Sequence, residues 1–422
     1  MRAPANTRLG QLQRGRGAGF LAAIADPVAS RDDVVAWILD DAERDSQVEK
    51  RARYGAELVA RLDVPLEPIV AHAARFADDE PEGRLAYEVL AAAWVREHAP
   101  ARAVLARGDL SSCLLDGITR ELWGHRWTTR EQLPPRAARR FERLEVEWGP
   151  SESTSPGLSV DARQSIAGLL DLACVHRGPA DREIVRAELL RRTGAGDRDV
   201  LADIVAGDPE PARVRLAAEV LGCMGDARLL PLAETLFRRE HDLDGADIAR
   251  ARRHALLHYV MRLPGAITLP LARAWHSQGD YLQVAATRVL QEHAEPADRE
   301  WIEADVRRRL PTDGGCGYAS DLGPLARIAD PRSAPLFAEV CELATYSYAR
   351  VQALRGLARM LAVPVARALL REALWDAEDD AVALACSLPG ELDAAARQRL
   401  GELSQDPCLD GEVRAAVVAR RG

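Results

Sequence analysis

Asp208–Leu236 reads DPEPARVRLAAEVLGCMGDARLLPLAETL, and this phrase decides the fold. An Asp-Pro turn opens it, since proline suits a helix start and not a helix interior. Val214, Ala217, Ala218 and Leu221 then follow at helical spacing, and Gly225-Asp226 breaks the run. A second amphipathic stretch carries Leu229, Leu232 and Leu236. With Leu221 as marker, comparable leucines stand at 58, 90, 122, 190, 257, 290, 325, 357 and 388. Neighbouring markers are 31 to 36 residues apart, except for one double step of 68 between Leu122 and Leu190. The flanking words echo too: Arg84–Leu90 and Arg215–Leu221 differ only at Tyr87 against Ala218. Self-similarity at this period predicts an all-α chain of stacked helical units, each burying its apolar stripe against its neighbours.

The phrase resembles the HEAT repeat, in particular the HEAT-like repeat of the phycobilin-lyase type. Asp208, Pro209, Val214, Arg215, Ala218, Leu221, Gly222, Gly225, Asp226 and Leu232 match its pattern. Other stretches follow the period and apolar spacing without the Gly-Asp signature. The resemblance implies antiparallel helix pairs, a right-handed α-α superhelix, and a concave face lined by the second helix of each pair. It also implies that Arg215 serves contacts between repeats rather than chemistry.

Composition agrees with helices. Alanine and leucine, strong helix formers, fill the periodic segments, and aromatics are only 5% of 422 residues. Helices are expected near 46–62, 66–76 and 82–98. Lys50 is the only lysine among 56 basic residues, a bias that points to a GC-rich bacterial genome. A net charge of −9 argues against a nucleic-acid partner, which needs a dense basic face. Seven scattered cysteines without a C-x-x-C fit reduced, mostly buried thiols. The apolar run at residues 18–25 is too short to span a membrane. A soluble, cytoplasmic protein is the expectation.

Residues 1–19, with four arginines, four glycines and no acid, read as a flexible arm. An N-terminal helical array should follow over 20–148. Gly149–Gly157 (GPSESTSPG) reads as an exposed linker without an apolar anchor. A second, HEAT-like array is expected over 158–422, interrupted by a loop at Pro311–Gly317 (PTDGGCG).

No phosphate loop, G-x-S-x-G elbow, H-E-x-x-H or zinc-type spacing occurs. The expectation is therefore no catalytic residue, no metal and no cofactor. His254 and His258 share a helix face but lack a third ligand, so they read as partly buried structural residues. Glu97-His98, Glu240-His241 and Glu292-His293 read as helix-end pairs, where histidine suits the dipole. The run Asp40, Asp41, Glu43, Asp45 and Glu49, interleaved with Arg44, Lys50, Arg51 and Arg53, reads as a solvated mixed-charge face.

The sharpest departure from the Ala/Leu pattern is Trp123-Gly124-His125-Arg126-Trp127. Tryptophan and arginine are enriched at binding hot spots. Trp123, His125, Arg126 and Trp127 are therefore the expected partner-binding residues. The leading functional expectation is a non-enzymatic scaffold or adaptor that holds a protein or peptide on the concave face. The competing one is a DNA-binding enzyme of the alkylpurine glycosylase type, built on the same repeat. Asp116, near Trp123, is the acid closest to that family's description, without a motif to anchor it. A lyase or chaperone for a chromophore-bearing partner is a third reading, from repeat type alone.

Overall fold

The computed structural model describes residues 3–40, 51–76, 81–106, 112–124, 132–135, 137–139, 141–142, 164–175, 179–238, 247–313 and 315–421. They are helical throughout, with no strand among the described residues. The chain forms two compact units, one of residues 1–150 and 299–422, the other of residues 151–298.

The first stretch of unit 1 holds α1 (Arg8–Gln13), α2 (Gly17–Ala25), α3 (Pro27–Leu39) and α4 (Ala52–Leu62). After them come α5 (Glu67–Ala73), α6 (Pro81–Val95), α7 (Ala99–Ala106) and α8 (Ser112–Gly124). Thr7 and Asp26 cap α1 and α3 by accepting from Gly10 and Ala29 backbone N–H groups, satisfying donors that a helix start leaves open.

Unit 2 holds α9 (Ile166–Val175), α10 (Pro179–Arg192), α11 (Asp197–Gly207) and α12 (Pro211–Cys223). Then come α13 (Leu230–Phe237), α14 (Asp247–Arg262), α15 (Gly265–Trp275) and α16 (Asp280–His293). The deciding phrase thus folds as α12, a tight turn and α13. Gly225 makes that turn at φ +68°, a conformation glycine adopts at little cost. The Asp226 side chain then caps the short turn Ala227–Leu229, while its carbonyl accepts from the Tyr259 hydroxyl at 2.6 Å.

The second stretch of unit 1 holds α17 (Arg299–Asp313), α18 (Leu322–Ile328), α19 (Ala334–Leu343) and α20 (Ser347–Ala358). It ends with α21 (Pro364–Glu372), α22 (Asp379–Ser387), α23 (Ala394–Gln405) and α24 (Gly411–Arg421).

The leucine markers fall on alternate helices: α4, α6 and α8; α10, α12, α14 and α16; α18 and α20; and at the end of α22. Those alternate helices are the ones that pack on each other. In unit 1, α4 meets α6 and α6 meets α8, and α18, α20, α22 and α24 meet in turn; in unit 2, α10, α12, α14 and α16 do so. Most marker leucines are buried at these contacts. Helices α12 and α14 approach closely at Gly222, where a Cβ would lie 2.7 Å from the Tyr259 carbonyl oxygen and 2.8 Å from the Arg262 Cβ.

Three expectations need correction. The described part of the presumed arm is not a free arm. Its Leu12, Gln13, Arg14 and Arg16 are buried in unit 1, because backbone carbonyls and acids far along the chain receive its arginines. The expected array over 158–422 is divided at Asp298, and its later part shares one apolar core with the N-terminal stretch. At Pro311 there is helix rather than loop, since α17 runs on to Asp313. The expected linker Gly149–Gly157 lies outside the described residues.

Candidate functional site

Unit 1 has a dense buried charge network where its two chain stretches meet. Arg51, Arg350 and Arg399 are 0%, 2% and 2% exposed. Arg51 donates to the Gln13 carbonyl at 2.5 Å and Arg350 to that of Arg14 at 2.6 Å. The Arg350 fork also takes both Asp376 oxygens at 2.9 Å, the bidentate geometry that only arginine offers. Arg16 pairs with Glu372 at 3.1 Å and Arg53 with Asp379 at 3.2 Å. Arg51 and Arg53 are thus buried links, not members of a solvated face.

Beside this network lies a cleft of about 460 Å³ lined by Glu57, Arg61, Arg96, Arg399, Glu402 and Asp406. Arg399 bonds Glu57, Arg96 bonds Asp406, and Arg61 bridges Glu57 at 2.9 Å and Glu402 at 2.5 Å. Burial pushes the Glu57 carboxyl up, but Arg399 and Arg96 outweigh it and hold it at about 2. A general acid or base works best with a pKa near the working pH. Glu57 stays ionised at neutral pH, so its role here is to hold three arginines. The buried thiols point the same way: burial pushes Cys341 and Cys408 up to about 12, far from thiolate chemistry.

Unit 2 presents the opposite electrostatic pattern. Helix α14 reads DIARARRHALLHYVMR, with Arg250, Arg252, Arg253 and Arg262. Arg250, His254, His258 and Arg262 recur every four residues, so they form one stripe along the helix. Arg250, His254 and Arg262 are exposed and His258 is half-buried. The two imidazoles meet edge to face, with centroids 4.7 Å apart. They are more exposed than the structural pair expected. Burial, then Arg215 and His254, hold His258 below the ordinary imidazole value, with Glu219 opposing.

On one flank of the stripe, α12 carries Arg215, paired with Glu219 at 2.9 Å. On the other, Arg253 sits over the Tyr281 ring of α16 at 4.3 Å, a cation–π contact. Its Nη1 is buried without a hydrogen-bond partner. Arg252 donates to the Asp208 carbonyl at 3.1 Å. Elsewhere in unit 2, Arg186, Arg213, Arg215, Arg228 and Arg273 each meet a carboxylate. None of the four arginines of α14 meets one among the described residues. Val284 and Arg288 share the Tyr281 face of α16 by helical spacing, and both are exposed.

No family model, characterised protein or solved structure matches this chain. The arrangement of charge, aromatic and aliphatic groups therefore carries the functional reading alone. Of the residues expected at the partner-binding surface, Trp123 falls in the last turn of α8, and nothing is described of its side chain. His125, Arg126 and Trp127 lie outside the described residues. Asp116 lies on α8. Glu97 leaves α6 at φ +62°, and burial lowers His98. Glu292 and His293 end α16, whereas Glu240 and His241 are outside the described residues. The stripe on α14 was readable in the i, i+4 spacing of Arg250, His254, His258 and Arg262, of which a pair of metal ligands would account for the two histidines alone.

Proposed function

We propose that this chain is a non-enzymatic adaptor of the HEAT-like helical-repeat kind, whose stacked helices wind into a right-handed superhelical solenoid and hold a protein partner. The single observation that carries the reading is the row formed by α10, α12, α14 and α16. Alternate helices packed side by side leave one polar row of side chains facing outward, and on α14 that row holds cations without carboxylate partners among the described residues. Uncompensated charge on an ordered surface steers and orients a partner of opposite sign. The saturated ion pairs of unit 1 suit a rigid scaffold. Trp123, His125, Arg126 and Trp127 remain a second proposed contact patch.

Photo-cross-linkers placed at Arg215 and Val284 in the source cells test the reading. One partner protein should be trapped from both positions and not from Arg367 on α21. Trapping of nucleic acid alone, or of nothing, would overturn it. The arginines of α14 would also suit phosphates, which keeps the glycosylase-type reading as the competitor. On that reading, a duplex carrying an alkylated purine should be bound and cleaved at the modified base.

A further inference from the structure

We infer that the outward face of α14 is the docking site for an acidic, leucine-bearing segment of the partner protein. The inference rests on the adaptor reading and adds the place and the chemistry. The chain as a whole carries −9, yet α14 gathers Arg250, Arg252, Arg253 and Arg262, none of them in an ion pair among the described residues. Like charges three residues apart, as at Arg250 and Arg253, work against a helix, and Asp247 is the one acid in α14 to set against four arginines. A bound acid would relieve the repulsion. Guanidinium forks match carboxylates in two-point geometry, and the i+4 spacing of the stripe repeats about every 6 Å, near the distance between alternate residues of an extended peptide.

Two features favour a peptide over a nucleic acid. Val284 on α16, three residues on from Tyr281, is 43% exposed. This aliphatic group, beside the Tyr281 ring, offers apolar contact that a leucine side chain fills and a phosphate backbone does not. Secondly, the basic stripe is a single helix wide. Glu219 stands on the adjacent α12 and Glu183 on α10, where Arg186 approaches Glu219 at 3.8 Å. A duplex, charged every 1.7 Å or so along its axis on a broad front, would press phosphates onto those acids. An extended chain along α14 passes Glu219 alone of the two, and that acid is already paired with Arg215.

The test uses the full chain and a fluorescein-labelled peptide of about ten residues, glutamates interrupted by two leucines, a length matched to α14. Fluorescence anisotropy should show binding that weakens as salt rises, since screening reaches about 8 Å at physiological ionic strength. Arg250→Glu combined with Arg262→Glu should weaken binding at least about tenfold while the melting temperature holds. Arg367→Glu on α21 should change nothing. Absence of binding at low salt, an affinity indifferent to the double reversal, or tighter binding of a DNA duplex of equal charge would each overturn the inference. If the double reversal melts early, Arg250→Gln alone decides, with a weakening of several-fold expected and an unchanged affinity counting against it. A partner cross-linked at Val284 whose binding ignores these substitutions leaves the adaptor reading standing and sinks this one. Peptide binding by a chain without a cellular partner does the reverse.

Discussion

Glu57 shows what one residue does in this molecule. Its carboxyl is held at about 2 by Arg399 and Arg96 against the pull of burial. A depressed carboxyl contributes stability that is fully present above its unfolded value near 4.3 and is lost as pH falls through the folded one. Glu57→Gln should therefore flatten the acid limb of the stability curve between about pH 4.5 and 2, read by urea unfolding across that range. At neutral pH the same change takes the Glu57 carboxylate from the buried Arg399 guanidinium, while Arg96 keeps Asp406, and breaking a buried pair costs about 3–5 kcal/mol. His258 runs the other way. Its neighbours are Arg215 and Glu219 from α12 and His254 and Arg262 on its own helix, while Tyr281 and Arg288 of α16 face nearby Arg253. Its lowered value means that the folded state binds fewer protons than the unfolded chain. Stability from this site therefore falls as pH drops below about 6.5. The difference in melting temperature between pH 7.5 and 5.5 should shrink in His258→Gln, as calorimetry would show. Gly222 is a third case: Gly222→Val would drive a side chain into Tyr259 and Arg262, costing about 1–3 kcal/mol by overpacking.

At the scale of the helix, the alternation of marker and intervening helices was plain from the leucine spacing, because burial against a neighbour fixes where the apolar stripe recurs. The expected helices at 46–62, 66–76 and 82–98 correspond to α4 at Ala52–Leu62, α5 at Glu67–Ala73 and α6 at Pro81–Val95. What could not be read was the fate of the arginines. Arg14, Arg16, Arg51 and Arg53 sit in polar or glycine-rich sequence, and the local pattern predicts solvent. Arg14, Arg16 and Arg53 find Leu343, Glu372, Asp376 and Asp379 some three hundred residues further on, beyond any periodicity, and Arg51 finds the Gln13 carbonyl. The basic stripe of α14 was the opposite case, carried by local i, i+4 spacing. It also makes a prediction at this scale. His258 is held below the ordinary imidazole value, and its protonation adds charge to the stripe, so affinity for the glutamate peptide should rise as pH falls from 7.5 to 5.5, where glutamates remain ionised. Anisotropy titrations at the two pH values check it, and His258→Gln should abolish the difference.

At the scale of the whole molecule, unit 2 is one unbroken stretch, whereas unit 1 is assembled from two. Removing residues 1–19 takes away the carbonyls of Gln13, Arg14, Gly15 and Arg16, which accept from Arg51, Arg350, the Ala377 N–H and the Tyr54 hydroxyl. Such a truncation should lower the melting temperature by many degrees or send the chain into inclusion bodies, and a flexible arm would have been dispensable. The same construction sets an order of events during synthesis. Glu57 leaves the ribosome long before Arg399 exists to receive it. At about 5–20 residues per second the interval is roughly tens of seconds. Throughout it the early helices present unpaired arginines and apolar faces, while residues 151–298 emerge as a stretch that completes its own contacts. Nascent chains arrested near residue 340 should thus be protease-resistant in unit 2 and cut within residues 1–62. The first helices thus wait for carboxylates that roughly the last fifth of the chain carries, Glu372, Asp379 and Asp406 among them.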